Sequence, residues 1–196
     1  MHRRLQAKGP TDGVLMGLEG AKPYNYVDPA TNLPVGIDVD IVQTALGHAG
    51  ITKIENQVMP FDSLVPALLG ARTDMVTANI HVTEPRLSQL GFSSAGWWYG
   101  PQMVVRTADQ DRIKSYDDLL QRDVTVGTVS GSINQTYLEA VKAPNLRLFK
   151  DKNSELAALR NGELTVALED TVTMAEYQRD NPNSDSVLVD VASPRF

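Results

Sequence analysis

The chain reads as an α/β protein built on mainly parallel sheets. Short apolar runs of strand length alternate with segments of helical spacing from residue 13 onward. Gly, Pro, Asn and Asp cluster at the junctions, where strand-to-helix turns need them. No repeat or low-complexity tract interrupts the alternation. The 196 residues can bury a real core, as one large domain or as two lobes.

Composition excludes several functions. Lys and Arg number 18 against 24 Asp and Glu, for a net charge of −6. No cluster of basic and aromatic residues accompanies them, so nucleic acid is not an expected partner. Without cysteine there is no disulfide, thiolate nucleophile or thiolate metal ligand. The three histidines, His2, His48 and His81, are too scattered for a metal site, and no cofactor is expected. No apolar run approaches the ~20 residues of a membrane span. The opening residues lack the apolar centre of a signal peptide, and residues 1–11 read as a tail.

Residues 13–18 (GVLMGL) suit a buried parallel strand, and residues 19–36 form a loop carrying Tyr24 and Tyr26. Residues 37–49 place Ile37, Ile41 and Ala45 at helical spacing, with Val42 and Leu46 broadening the stripe and Gly50 ending it, which predicts a core-facing helix. A strand over 53–59 follows. Pro60, Phe61, Asp62 and Ser63 then start a helix that runs through Leu64, Leu68 and Leu69 to Gly70. Residues 75–80 suit another strand, after which Thr83 reads as an N-cap, with Glu84 and Pro85 in the first helical turn. Arg86 then projects where free N–H groups also point, which is either an anion seat or a solvent-facing arginine. Gly96, Trp97, Trp98, Gly100 and Pro101 precede an extended MVVRT run, which suggests a hinge. A second series then begins, with a short helix over 115–120, a strand over 124–129, a turn at 130–132 and a helix over 133–141. It continues with strands over 146–149, 164–168 and 186–191, and helices over 155–160 and 171–179.

The stretch DMVTANIHVTEPRLSQLGFS, residues 74–93, resembles the motif of family 3 extracytoplasmic solute-binding proteins of amino-acid-type ABC transporters. Glu84 and Pro85 stand in the reverse of the family's order, with the arginine in place. Pro23-Tyr24-Asn25-Tyr26 is similar to the family's Pro-Phe-x-Tyr, and Gly36 with Asp38 and Asp40 to its Gly-Phe-Asp-x-Asp. MPFDSLVPALLGARTD and VGTVSGSINQTYL resemble two further family segments. The resemblance implies a two-lobed, periplasmic-binding-protein type II fold, with lobe 1 over residues 12–100, lobe 2 over 101–196 and the hinge near 98–104.

In such folds ligands bind at the carboxyl ends of strands. The expected ligand-binding residues are Tyr24, Phe61, Asn79, His81 and Arg86 from the first lobe, and Ser132, Ile133, Asn134 and Asp170 from the second. The resemblance implies that Tyr24 and Phe61 form opposite walls of the slot and that Arg86 grips a ligand carboxylate. The turn before residue 133 would supply N–H groups to that carboxylate, although Ile133 stands where the family has a hydroxyl. Asp170 matches the aspartate that pairs with a ligand ammonium, and it is equally suited to cap the helix that follows. His81 and Asn79 depart from the family's usual residues. A cage of Tyr24, Phe61 and His81 would also suit the cation of a compatible solute, at ~0.5–2 kcal/mol per contact.

The implied function is capture of a small zwitterion, an amino acid or derivative, and its delivery to an ABC permease from a periplasmic or membrane-anchored extracytoplasmic position. The alternatives are an ectoine or betaine carrier, a receptor's sensor domain, or an enzyme such as a dehydratase using His81, Glu19 or Glu169. The family's C-terminal return to lobe 1 has no counterpart here. The expectation is a truncated lobe 1 that exposes apolar surface and self-associates.

Overall fold

A computed structural model describes residues 13–94, 96 and 98–189. The expected features at residues 1–11, at Trp97 and beyond residue 189 lie outside the described residues.

The first sheet has the order β4-β1-β5. Strand β1 (Val14–Leu18) lies between β4 (Ile54–Val58) and the short β5 (Met75–Val76), parallel to both. Met16 and Leu18 on β1 pack with Val39 into a small core, joined by Val42, Ile54 and Met75. Residue 17 must be small, because a Cβ there would crowd Leu64, Thr73 and Val76. Helix α1 (Ile37–His48) and helix α2 (Phe61–Leu69) connect these strands. A two-stranded hairpin of β2 (Tyr26–Val27) and β3 (Pro34–Val35) forms within the expected loop, too short for period-2 alternation to reveal.

Helix α1 corrects one expectation. Ile37 and Ile41 are 40% and 45% exposed, so the stripe expected to face the core points outward. The inward residues are Asp38, Val39 and, in part, Val42. Asn25 Nδ2 donates to Asp38 Oδ2 at 2.8 Å, and the N–H groups of Ile37 and Asp38 donate to the carbonyls of Pro23 and Tyr24, so the start of the helix is tied to the Tyr24 turn with Asp38 and Val39 inward. Strand β5 is also shorter than expected. The chain leaves the extended conformation before Asn79, whose φ of 52° is left-handed. Helix α3 (Glu84–Leu87) follows, with Thr83 extended at its N-cap but making no side-chain cap bond.

The second sheet has five strands in the order β10-β6-β9-β7-β8. Strand β7 (Val126–Val129) is parallel to β8 (Leu146–Phe149) and to β9 (Val166–Asp170). Strand β6 (Pro101–Arg106), the extended MVVRT run, pairs antiparallel with β9 and with β10 (Ser186–Leu188), so this sheet is mixed. Helices α4 (Ile133–Ala140), α5 (Lys152–Arg160) and α6 (Thr171–Asp180) flank it. A 3-10 turn over Tyr116–Leu120 stands where a short helix was expected, closed by a capping box between Ser115 and Asp118. One apolar cluster gathers Met103, Ile113, Leu119, Val126, Leu138 and Leu168 on one side of the sheet. Another gathers Val104, Leu159, Leu164, Ala167 and Met174 on the other. The two sheets are the cores of two lobes, and the strand-to-helix ends of both meet.

Candidate functional site

Tyr24 is carried by the turn after β1. Ala21 and Asn25 form a bridge, and Asn25 Oδ1 accepts from the N–H groups of Glu19 and Gly20 at 3.0 Å. That turn buries Tyr24 completely and sends its hydroxyl across to the second lobe, where it donates to Asp170 Oδ1 at 2.6 Å. Burial first, and then the Asp170 charge, push the phenol far above its ordinary pKa, so Tyr24 is a fixed donor.

Asp170 ends β9 and caps α6. Its Oδ1 accepts from Thr173 N–H at 2.7 Å, and its Oδ2 accepts from the Thr173 hydroxyl at 2.7 Å. Lys152, at the first position of α5, donates from Nζ to the same Oδ2 at 2.9 Å and lies 3.4 Å from Glu169 Oε2. Its ammonium is 5.2 Å from the centre of the Tyr24 ring. Burial pulls the Lys152 pKa down, but Glu169, Asp170 and Glu19 more than offset this and hold it charged. Although burial disfavours its charge, Lys152 and four hydrogen bonds keep the Asp170 carboxyl below the usual range. The Glu155 carboxyl, fully buried beside Glu169, is driven well above its ordinary pKa by burial.

On the first lobe, Arg86 donates from Nη1 to the His81 carbonyl and from Nη2 to the Gly131 carbonyl, both at 2.9 Å. The second bond crosses to the turn that starts α4. There Gly131 adopts a φ of +79°, and a Cβ would lie 3.1 Å from the Asp62 backbone. The β4–α2 corner therefore presses on the same turn, with Phe61 half-buried at the first position of α2. Between Arg86 and Tyr24 lies Tyr99. Its hydroxyl donates to the Asn79 carbonyl at 2.7 Å and stands 3.3 Å from His81 Nδ1. The single phenol proton is committed to Asn79, so His81 Nδ1 is the donor in the second contact. The rings of Tyr99 and His81 meet edge-on at 4.9 Å, and those of Tyr99 and Tyr24 lie 6.1 Å apart. Burial, then the Arg86 charge, lowers the His81 pKa and keeps the imidazole neutral. The Asn79 side-chain amide is buried and makes no hydrogen bond among the described residues.

Tyr24, Asn79, His81, Arg86 and Asp170 thus form a connected array from one lobe to the other. Ser132 and Asn134 make bonds within their own lobe. Ser132 caps α4, its Oγ accepting from Gln135 N–H at 3.1 Å, and Ile133 is the first residue of that helix. Asn134 is buried and donates to the Leu168 carbonyl at 3.0 Å. The sequence reading missed Lys152 and Tyr99. Lys152 was overlooked because α5 was expected to begin at Glu155; the cap that reveals its true start is Asp151, which accepts from Ser154 N–H at 2.7 Å.

Beside Lys152 the lobes form an open pocket of about 100 Å³, lined by the turn at residues 19–22 and by α5 and α6. Glu19 lines it. Its Oε1 is buried without a hydrogen-bond partner among the described residues, and burial raises its pKa to about 7. Lys152 is its main charge partner, and Oε1 remains open to a hydrogen-bond donor from a ligand.

The chain is 29% identical over 163 residues to a probable histidine-binding protein of Neisseria gonorrhoeae, matching 82% of this chain and 59% of that protein. It is also 29% identical to a putative ABC transporter arginine-binding protein of Escherichia coli, covering 82% of this chain and 63% of the relative. The chain thus spans about three fifths of the length of these curated relatives. Among solved structures, an ancestral arginine-binding protein bound to glutamine superposes with a TM-score of 0.84 at 26% identity, covering 94% of this chain and 81% of that one. Residues 14–179 match the family model, and the chain belongs to the bacterial extracellular solute-binding proteins, family 3.

Proposed function

We propose that the chain captures a small amino-acid-type zwitterion between its lobes and presents it, outside the cytoplasmic membrane, to the permease of an ABC importer. The observation that carries this reading is Arg86, a half-buried guanidinium whose bonds reach both lobes where the strand ends converge. A ligand carboxylate at Arg86 would gain charge-assisted hydrogen bonds and N–H groups from the start of α4, bringing the lobes together. In this proposal Tyr24, Phe61, Asn79, His81, Ser132 and Ile133 flank the ligand, Tyr24 as a buried wall, and residues 98–104 act as the hinge.

The ligand's positive group belongs in the pocket beside Glu19. The similar proteins named for histidine and arginine support a cation-bearing amino acid. An aromatic cage for a betaine or ectoine is less well supported, because Lys152 already lies over the Tyr24 ring and the His81 ring is engaged by Tyr99. Self-association is a further part of the proposal. Ile37, Ile41, Val58, Leu69 and Leu87 expose apolar surface on the first lobe, and sedimentation at micromolar concentration would detect its pairing.

A thermal-shift panel of arginine, histidine, lysine, glutamine, cystine, ectoine and betaine tests the reading. A bound ligand at a hundredfold excess over Kd stabilises by ~2.7 kcal/mol. Stabilisation by the cationic amino acids is expected; a response to betaine alone would replace this reading with the compatible-solute one.

A further inference from the structure

Asp170 has no acceptor position left for a ligand. Its Oδ1 takes the Tyr24 hydroxyl and Thr173 N–H, and its Oδ2 takes Lys152 Nζ and the Thr173 hydroxyl. Two donors at each oxygen fill a carboxylate's capacity. Tyr24 and Thr173 are neutral donors. Lys152 is a primary ammonium, chemically the same kind of group that an amino-acid ligand would bring. Its side chain is 11% exposed, with a further bond to Thr173 Oγ1 at 2.9 Å and Glu169 Oε2 at 3.4 Å.

An incoming α-ammonium would therefore have to expel Lys152 and take its place. That exchange swaps one ammonium for another at the same carboxylates and adds no charge pairing. A ligand without an α-ammonium leaves the Lys152–Asp170 pair undisturbed. Of the four carboxylates on the neighbouring pocket, Asp151 is paired with Lys150, Glu176 with Arg179, and Asp180 with Lys22 and Arg179, which leaves Glu19 as the one with no ion pair among the described residues. Glu19 Oε1 there makes no hydrogen bond among the described residues. Glu19 is thus the group that can take a ligand's second cation, next to the Lys152–Asp170 pair and without displacing it.

We propose that Lys152 is a specificity-determining residue: it seats a tethered ammonium on Asp170, so the cleft takes carboxylates with a distal cation, ω-guanidino and ω-amino acids, without requiring an α-ammonium. This rests on the amino-acid-type reading of the cleft and deepens it by naming the part of the ligand that goes unread.

The test is calorimetry with two matched pairs, arginine against 5-guanidinopentanoate and lysine against 6-aminohexanoate, on the wild-type chain and on Lys152→Gln. The wild type should bind the two members of a pair within about threefold of each other. Lys152→Gln, with Asp170 freed, should prefer the α-amino member by about tenfold or more. A wild-type preference of tenfold for the α-amino member would overturn the inference and leave the solute-binding reading standing; this arm needs no variant to fold. A wild-type ratio near one that Lys152→Gln leaves unchanged would also overturn it, since Lys152 would not be the determinant. Failure of all four compounds to bind the wild type would sink the amino-acid-type reading, and this inference with it.

Discussion

The two lobes bury very different things. The first lobe has a three-stranded main sheet and a core of Met16, Leu18 and Val39, and it leaves large apolar side chains on its outer surface. The second has five strands with apolar clusters on both faces, and within it Glu155, Glu169, Asp170 and Lys152 are packed together at the start of α5. Substantial apolar burial can support such a charged group; a thin core cannot. The second lobe is therefore the anchor of the site and the first is a lighter plate laid against it. Bridges between them among the described residues include Tyr24 to Asp170, Lys22 to Asp180, Arg86 to Gly131, Lys152 over the Tyr24 ring, and the approach of Asp62 to Gly131.

The largest way to break this contrast is to remove the cation of the buried group. Lys152→Ala leaves Glu169 and Asp170 unpaired and should cost ~3–5 kcal/mol in denaturant unfolding. A loss below about 1 kcal/mol would mean that the anchor does not depend on this pair.

A second handle is pH. Burial raises Glu19 from 4.5 to about 7 and Asp38 to about 6, and it raises Glu155 and Glu169 as well. Between pH 4.5 and 7 the folded chain holds protons that the unfolded chain has lost, so stability is greatest at the acidic end and falls as pH rises through 7. Glu19 alone should contribute on the order of 2–4 kcal/mol to that slope. Unfolding at pH 5 and pH 8 should show the loss, and Glu19→Gln should reduce it; equal slopes in both proteins would remove Glu19 from the interface.

Tyr24→Phe sharpens the comparison by cutting one bridge without touching either core. Loss of its bond to a charged acceptor should cost ~1.5–3 kcal/mol. The smallest effect is expected outside. Ile41→Ser on the exposed face of α1 should change stability by no more than about 0.5 kcal/mol. A larger loss would show that this face is covered, most simply by a second copy of the chain.

Much of this was legible in the sequence, and the failures have physical causes. Alternating strand and helix patterns located both sheets, and the Arg86 motif identified the family. Periodicity could not say which face of α1 turns inward, because bonds from its first turn to the 23–25 turn, among them Asn25 to Asp38, hold it there. Lys152 was invisible because a lysine near a helix start ordinarily reads as solvated, and only the packed fold brings it to Asp170, 18 residues away. Tyr99 was passed over beside two tryptophans, of which Trp98 is 91% exposed. The capping role of Asp170 was expected and is observed.

The central claim is that a ligand carboxylate is held at Arg86 between the lobes. Isothermal titration of arginine into the wild-type chain and into Arg86→Ala tests it most directly. Removing the partner of a buried charge typically costs ~2–5 kcal/mol, so binding should weaken at least about tenfold in the variant. Equal affinity in the two proteins would take Arg86 out of the site and contradict the account.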